Sequence, residues 1–166
     1  MRMKQIDSAK RVTKRAQNPA RKSDSALAPG LLATSIGFAL RMASVAASQR
    51  FHGVMRPFHL RPAQFATLVL IAENPGVRQR DICETLCIEK ANFVGLLDIL
   101  ERRRLVERRA EPTDRRRYAI HLTRQGQALL RKASRAHAQM EIDLQRLLPA
   151  RTRKDFLANL SRLRSE

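Results

Sequence analysis

The chain has 166 residues and a formal net charge of +18, from 33 Lys and Arg against 15 Asp and Glu. This length is enough for one domain with a hydrophobic core or for a compact two-lobed protomer. With six Phe, one Tyr and no Trp, but many Leu, Ala and Arg, the composition favours a helical protein. A protein this basic typically binds a polyanion, most often nucleic acid, although a merely solvated surface is the simpler alternative.

Several other classes of protein are disfavoured by missing patterns. No run of about 18 apolar residues predicts a transmembrane helix, and the basic N-terminus lacks the apolar segment of a secretory signal, so we expect a cytoplasmic protein. No Gly-rich nucleotide loop, zinc-protease histidine pair or Gly-x-Ser-x-Gly occurs, and the four histidines are scattered. Cys83 and Cys87 alone make neither a disulfide framework nor a zinc site. We expect no enzyme, no cofactor and no bound metal.

The first helices are predicted from apolar spacing. Residues 1–28 are basic and hold few large apolar side chains, so we interpret them as a flexible arm that either adds DNA contacts or serves as a solubilising tail. A helix is predicted from Leu31 to about His52-Gly53, where apolar residues recur every three or four positions. A second, well-buried helix is predicted to begin at Pro62 and to end at Asn74-Pro75-Gly76.

Two short helices joined by a tight turn come next. The first is predicted from Val77 to Leu86 and the second from Glu89 to Arg103, with a turn at Cys87-Ile88. The second helix carries an apolar stripe on one face, made of Phe93, Leu96, Leu97 and Leu100. This arrangement predicts a helix-turn-helix.

A charged hairpin follows the second helix. Leu105–Arg109 and Arg117–Leu122 are extended-looking runs, and the basic, turn-rich segment Ala110–Arg116 joins them. Because that segment is too polar to be buried, we predict a two-stranded β-ribbon with an exposed tip. A helix end for the major groove and a cationic ribbon beside it together predict a winged helix-turn-helix.

The wing motif resembles the MarR family of bacterial transcription regulators. The resemblance rests on Asp114-Arg115-Arg116 and on Leu122-Thr123-Arg124-Gln125-Gly126, and it extends in layout over about residues 30–164. The chain departs from the family pattern at Arg104 and Cys87, where Gly is common. A non-Gly residue at a left-handed helix cap costs roughly 1 kcal/mol, so Arg104 is expected to compensate, for example by meeting a phosphate.

The C-terminal helices predict a dimer. A helix from the N-cap Thr123 to about Leu148 would be ~38 Å long, and a last helix is predicted from Thr152 to Arg164. Their apolar residues have no obvious partner within the chain, although a monomeric bundle is the alternative. The resemblance implies that N- and C-terminal helices dimerise. The predicted stripe residues are Leu129, Ala133, Ala136, Met140, Leu144, Leu147, Phe156, Leu160 and Leu163.

The predicted base-reading residues lie at the start of the second helix, because only that end reaches the groove floor. Asn92 can bond adenine, Lys90 guanine or phosphate, and Glu89 cytosine, although each could also be a solvated surface residue. The predicted major-groove set is Glu89, Lys90, Ala91 and Asn92, and the predicted backbone contacts are Arg78, Gln79, Arg80 and Arg104.

The predicted wing contacts are Asp114, Arg115, Arg116 and Arg117. The resemblance implies that Asp114 braces the loop by pairing with Arg116 while Arg115 enters the minor groove. The two arginines could also exchange these roles.

Two forms of control are considered. The resemblance implies release from DNA by a small aromatic or phenolic ligand, either free or as a coenzyme A thioester, in a pocket between the dimer lobe and the winged domain. The candidate pocket residues are Phe38, Arg41, His52, Met55, Phe58, His59 and Arg61, each of which could equally be ordinary packing or solvated charge. Redox sensing by Cys83 and Cys87 is the second hypothesis, although a disulfide fits poorly within a regular helix.

The sequence thus predicts a mainly α protein with a two-stranded β-wing, a winged helix-turn-helix and a helical dimerisation lobe. The expected divisions are a basic arm at 1–28, a dimerisation helix and connection at 29–56, a DNA-binding domain at 57–123 and C-terminal dimerisation helices at 124–166. The expected function is that of a homodimeric, ligand-responsive repressor of transcription, bound to double-stranded DNA. A sequence-indifferent nucleic-acid packaging or RNA-binding protein is the alternative.

Overall fold

A computed structural model describes the backbone of residues 27–111 and 114–164 and the side chains of residues 27–110 and 118–163. The chain divides into two units, Met1–Ala39 and Leu40–Glu166, each of which is described by itself. The predicted basic arm lies outside the described residues except for its last two positions. The predicted domain boundaries remain predictions.

The first unit contains a 3₁₀ helix at Gly30–Thr34 and the start of helix α1, Ile36–Met55. The predicted helix start at Leu31 is wrong because Ser35 interrupts the helix with an extended backbone, ψ 115°. The Ser35 hydroxyl oxygen accepts the backbone N–H of Phe38 at 3.3 Å. A serine at this position satisfies an otherwise unpaired N–H of the first turn, so α1 begins after it.

The second unit holds the rest of α1 and the remaining elements. A 3₁₀ turn at Arg56–Phe58 precedes α2. The residue after this turn, His59, has a left-handed backbone with φ 50°. The elements that follow are α2 (Pro62–Glu73), β1 (Val77–Arg78), α3 (Gln79–Leu86), α4 (Lys90–Arg102), β2 (Val106–Glu111), β3 (Asp114–Leu122), α5 (Arg124–Arg146) and α6 (Ala150–Arg164).

The sheet has three strands in the order β1-β3-β2, and both pairings are antiparallel. The helix predicted to begin at Val77 begins at Gln79, because the backbones of Val77 and Arg78 pair with β3 instead. The ribbon strands also reach further than predicted, to Glu111 and from Asp114. Once a ladder forms, backbone hydrogen bonds continue through polar residues whose side chains carry no apolar pattern.

The core is built where the helix-turn-helix packs on α2, α5 and the sheet. Phe93, Leu97 and Leu100 of α4 are fully buried, as the predicted stripe requires, whereas Leu96 is only half-buried. Other buried side chains come from α1 to α5: Met55, Leu68, Ile71, Ile82, Leu105, Val106, Ile120 and Ala133. In the described part of the chain, no helix is both long enough and apolar enough to cross a membrane.

The two C-terminal helices differ in burial. Thr123 caps α5 as predicted, since its side-chain oxygen accepts the N–H of Gly126 at 3.0 Å. The first half of α5 is covered by its own chain, with Leu130 more buried than the predicted Leu129, but Leu147 at its end is 64% exposed. None of the described side chains of α6 is buried.

Candidate nucleic-acid interface

The first turn of α4 is presented to solvent. Glu89, the N-cap, has an extended backbone and makes no side-chain cap, and helix α4 begins at Lys90. The four predicted major-groove residues are all exposed: Glu89, Lys90, Ala91 and Asn92. Because the opposite face of the same helix is anchored by fully buried side chains, this end of α4 is held rigidly and faces outward.

Each helix of the helix-turn-helix is followed by a left-handed residue. Cys87 has φ 51° and Arg104 has φ 55°, at the positions where glycine would be unstrained. The backbone N–H of Arg104 donates to the carbonyl oxygen of Glu101 at 2.8 Å, and its own carbonyl accepts the Thr123 hydroxyl at 2.6 Å. These bonds fix the junction between α4 and the cap of α5. The exposed Arg104 side chain points to solvent and leaves the predicted phosphate contact untested.

Three of the four predicted DNA-backbone contacts cluster at the start of α3. Arg78 and Arg80 are exposed and Gln79 is half-buried. Arg80 pairs with Glu84 at 2.6 Å, and this hydrogen bond raises the pKa of the guanidinium above its ordinary value. Arg80 therefore stays charged, although it would have to leave or share Glu84 to meet a phosphate.

The wing residues are described through their backbone only. Asp114, Arg115, Arg116 and Arg117 lie in strand β3, and their side chains are outside the described residues. The pairing of Asp114 with Arg116 and the minor-groove role of Arg115 therefore remain predictions.

A cleft between α4 and the wing was not anticipated from the sequence. It has a volume of about 530 Å³. Val94 and Tyr118 on its walls are 40% and 53% exposed. The one sequence signal was that Val94 breaks the apolar spacing of α4. The cleft is lined by Gln79, Val94, Asp98, Arg108, Tyr118 and Ile120.

The acidic residues of α4 pair across this cleft. Asp98 and Glu101 both pair with Arg108 of strand β2. Arg108 lies in the β-ribbon, seven residues after Glu101 and ten residues after Asp98 in the chain. Helical spacing could not have identified it as their partner.

The candidate ligand residues lie in varied surroundings. Met55 is fully buried in the core, and Phe58 packs against it half-buried. His52 is exposed, with Nδ1 2.7 Å from the Ser48 carbonyl oxygen. The other candidates in the second unit are the exposed residues Arg41, His59 and Arg61. Phe38 lies in the first unit. A separate cavity of about 460 Å³ lies between α1 and α5, lined by Arg50, Gly53, Val54, Ala136, Gln139, Met140, Asp143 and Leu147.

The two cysteines are free and differ in environment. Cys83 is buried in the core of the helix-turn-helix, and burial raises the pKa of its thiol above the ordinary value. Cys87 is exposed at the left-handed turn. A protonated, buried thiol is a poor nucleophile, which weighs against Cys83 as a redox sensor. Among the described residues, no cluster of His, Cys, Asp or Glu is suited to hold a metal ion.

A helix-turn-helix with an exposed helix end, followed by an antiparallel ribbon and braced by α2 and α5, defines a winged helix-turn-helix protein. Residues 60–117 match the MarR family. A putative transcriptional regulatory protein for the hcr operon of Thauera aromatica is 30% identical over 87% of this chain and 88% of its own length. The chain belongs to the MarR family and is a DNA-binding transcriptional regulator.

Solved structures agree with this assignment. The transcriptional repressor CouR bound to a 23-mer DNA duplex superposes with a TM-score of 0.79 and is 38% identical, over 84% of this chain and 99% of that one. CouR bound to p-coumaroyl-CoA superposes with a TM-score of 0.78 and is 35% identical, over 85% of this chain and 99% of that one.

Proposed function

We propose that this regulator is a repressor that binds a pseudo-palindromic operator as a homodimer and leaves it when a small aromatic ligand binds. The observation that carries the proposal is the exposed first turn of α4, residues 89–92, held by a buried stripe beginning at Phe93. A helix end held in this way beside a wing can enter a major groove. The solved complex of CouR with a DNA duplex supports this reading. Such a regulator would act in the bacterial cytoplasm, where the DNA is.

The homodimer is supported by exposed apolar side chains on α5 and α6. Leu147, Leu157 and Leu163 are 64%, 63% and 55% exposed, and Phe156 is 42% exposed. Apolar patches of this kind mark surfaces that another protein covers. A twofold axis would place two α4 helices on successive major grooves, about 34 Å apart.

The effector is proposed to be an aromatic acid carried as a coenzyme A thioester. CouR has been solved with p-coumaroyl-CoA, and it is 35% identical to this chain. Cationic and aromatic side chains suit an anionic aromatic compound. The proposed site within the second unit comprises Arg41, His52, Met55, Phe58, His59 and Arg61, and Phe38 of the first unit remains a sequence prediction. The cavity between α1 and α5, which Arg50 lines, is the second candidate for the ligand site.

Arg103 offers a route from that region to the recognition helix α4. Its guanidinium nitrogens donate to the carbonyl oxygens of His59 at 2.7 Å and Phe58 at 2.9 Å. Arg103 directly follows α4, so a ligand that moves the turn at residues 58–59 would pull on the C-terminal end of this helix. Under this proposal Arg103→Ala keeps ligand binding but weakens ligand-induced release from DNA.

The proposal is tested by a gel-shift titration with the intergenic duplex upstream of the protein's own gene, with random duplex as competitor at physiological salt. A repressor gives a discrete shift that survives competitor and that one of a panel of aromatic acids or their thioesters abolishes. Diffuse binding that is lost to competitor would instead support a sequence-indifferent packaging protein, which accounts for the charge of +18 without a recognition helix.

Two substitutions separate base reading from backbone binding. Asn92→Ala should relax the preference at one base pair per half-site, by about 1–3 kcal/mol. Arg115→Ala should weaken binding to all duplexes and lower the salt slope by about 1. Equal losses for Asn92→Ala on operator and random duplex would contradict its proposed role.

A further inference from the structure

The recognition helix is not basic, although the protein is. With its N-cap, α4 carries Glu89, Asp98 and Glu101 against Lys90 and Arg102, while the whole chain has a net charge of +18. A carboxylate that approaches DNA repels the phosphates, and like charges placed against each other at an interface lower affinity. Something must therefore offset the acids of α4 before this helix can enter a groove.

Arg108 meets two of the three carboxylates. One guanidinium nitrogen lies 2.7 Å from Asp98 Oδ1 and the other 2.7 Å from Glu101 Oε2. The Arg108 side chain is only 28% exposed, against 43% and 37% for its partners. The planar fork of an arginine can donate to two acceptors at once, which the single ammonium of a lysine does less well.

The position of this group relative to DNA follows from the cleft. Asp98 and Arg108 line it together with Gln79, a predicted DNA-backbone contact, and with the exposed Tyr118. The cleft separates α4 from the wing, the two elements that a duplex must touch together. In the proposed complex with DNA, the charge of Asp98 would therefore lie near the duplex.

We propose that Arg108 is a positioning residue that acts on DNA affinity through Asp98 and Glu101. It reduces the negative charge of these carboxylates in front of the duplex and ties α4 to strand β2. Arg108, Asp98 and Glu101 together carry a net charge of −1. Without Arg108, the two carboxylates carry a net charge of −2. This inference rests on the proposed DNA-binding function and adds a residue whose effect on affinity does not require contact with DNA.

The test is a set of variants titrated against the operator-containing duplex and a random duplex at several salt concentrations. Arg108→Met should weaken binding to both by about 10-fold or more at low salt, because two carboxylates then face the phosphates. The difference from the wild type should shrink as salt rises, since screening shortens the reach of the repulsion. Arg108→Lys, which keeps the charge, should recover most of the loss.

The decisive variant combines Arg108→Met with Asp98→Asn and Glu101→Gln, which leaves no charge in the group. We expect its affinity to return to within about 3-fold of the wild type, or to exceed it, because the repulsive charges are gone. A combined variant as weak as Arg108→Met would overturn the proposal, since Arg108 would then act on DNA directly. An Arg108→Lys variant as weak as Arg108→Met would overturn it as well.

Controls separate this role from simple stability. Arg146→Met removes an arginine of an exposed ion pair with Asp143 in the last turn of α5, an element with no predicted DNA contact, and should leave DNA affinity unchanged. Circular dichroism melting and stoichiometric titration give the folded and active fractions of each variant. A loss that tracks the folded fraction, with no dependence on salt, would mean that Arg108 only stabilises the fold.

The outcomes also distinguish this inference from the proposed function. If the wild type shows no preference for the operator-containing duplex, the proposed repressor function fails. Loss with Arg108→Met and recovery in the combined variant, both measured on random duplex, would still support the role of Arg108.

Discussion

The winged helix-turn-helix and helix α6 bury their apolar residues differently. Phe93, Leu97 and Leu100 of α4 are inaccessible to solvent within the single chain, whereas Leu157 and Leu163 of α6 are more than half exposed. The first region closes around a core made of its own elements, and the second leaves its apolar side chains uncovered. Within the described residues, the DNA-reading helix therefore buries its apolar stripe inside one chain, whereas the exposed leucines of α6 are available for the proposed dimer interface.

The largest effect is expected from a change among the exposed apolar side chains of α6. Leu157→Glu places a charge in the proposed dimer interface, and a twofold axis repeats the change in both copies. Lost burial of about 1.5–3 kcal/mol per leucine gives a loss of roughly 3–6 kcal/mol in dimer stability. Sedimentation velocity should show a shift from dimer to monomer at micromolar concentration.

The control for that variant is Ala158→Glu, which adds the same charge to an exposed position of α6 on the face opposite Phe156, Leu160 and Leu163. It should leave the dimer intact. If Leu157→Glu sediments as the unchanged wild type does, the exposed apolar side chains of α6 do not form the interface.

The close packing of α5 against the winged helix-turn-helix is tested by Gly126→Ala. A Cβ at Gly126 would lie 1.9 Å from the carbonyl oxygen of Leu105, which is backbone and cannot rotate away. We expect a loss of about 1–3 kcal/mol in the free energy of unfolding, because α5 must shift away from the junction after α4. Urea denaturation without DNA measures it.

The matched control is Gly95→Ala in α4, where an added Cβ meets nothing within 4 Å. There the change should stabilise the protein by about 0.5–1 kcal/mol, because alanine loses less conformational entropy in a helix. Equal effects at the two glycines would mean that the close approach of α5 to Leu105 is not required.

The smallest effects on stability are expected at Arg104 and Cys87, the left-handed residues that follow α4 and α3. Arg104→Gly relieves a left-handed backbone, φ 55°, and should raise the free energy of unfolding by about 0.5–1 kcal/mol. If Arg104 meets a phosphate, the same change lowers affinity for random duplex. Cys87→Gly, at φ 51°, should bring a similar gain in stability without loss of affinity. Unchanged stability in both variants would show that neither cap is strained.

Local signals predicted several elements well. Pro62 marks the start of α2, Thr123 caps α5, and the spacing of Phe93, Leu97 and Leu100 identified the buried face of α4. Each of these depends on residues within one or two turns of each other, so the sequence contains the whole cause.

The features that the sequence did not predict depend on contacts between distant residues. Val77 and Arg78 form a strand because β3 lies beside them, although their own pattern fits a helix start. The serine that delays α1 is an exception, since Ser35 is a local cap signal that the apolar spacing from Leu31 obscured. The cleft containing Val94 and Tyr118 exists only once α4 and the wing are placed side by side.

The sequence by itself determined the winged helix-turn-helix, the exposed reading end of α4 and the basic charge that draws the protein to DNA. These follow from apolar periodicity, turn residues and composition, which act over short distances or over the chain as a whole. The tertiary structure alone decided that Arg108 pairs with Asp98 and Glu101, and that Arg103 holds the 58–59 turn. A side chain selects such partners by position in space, and position is fixed only when the elements have packed.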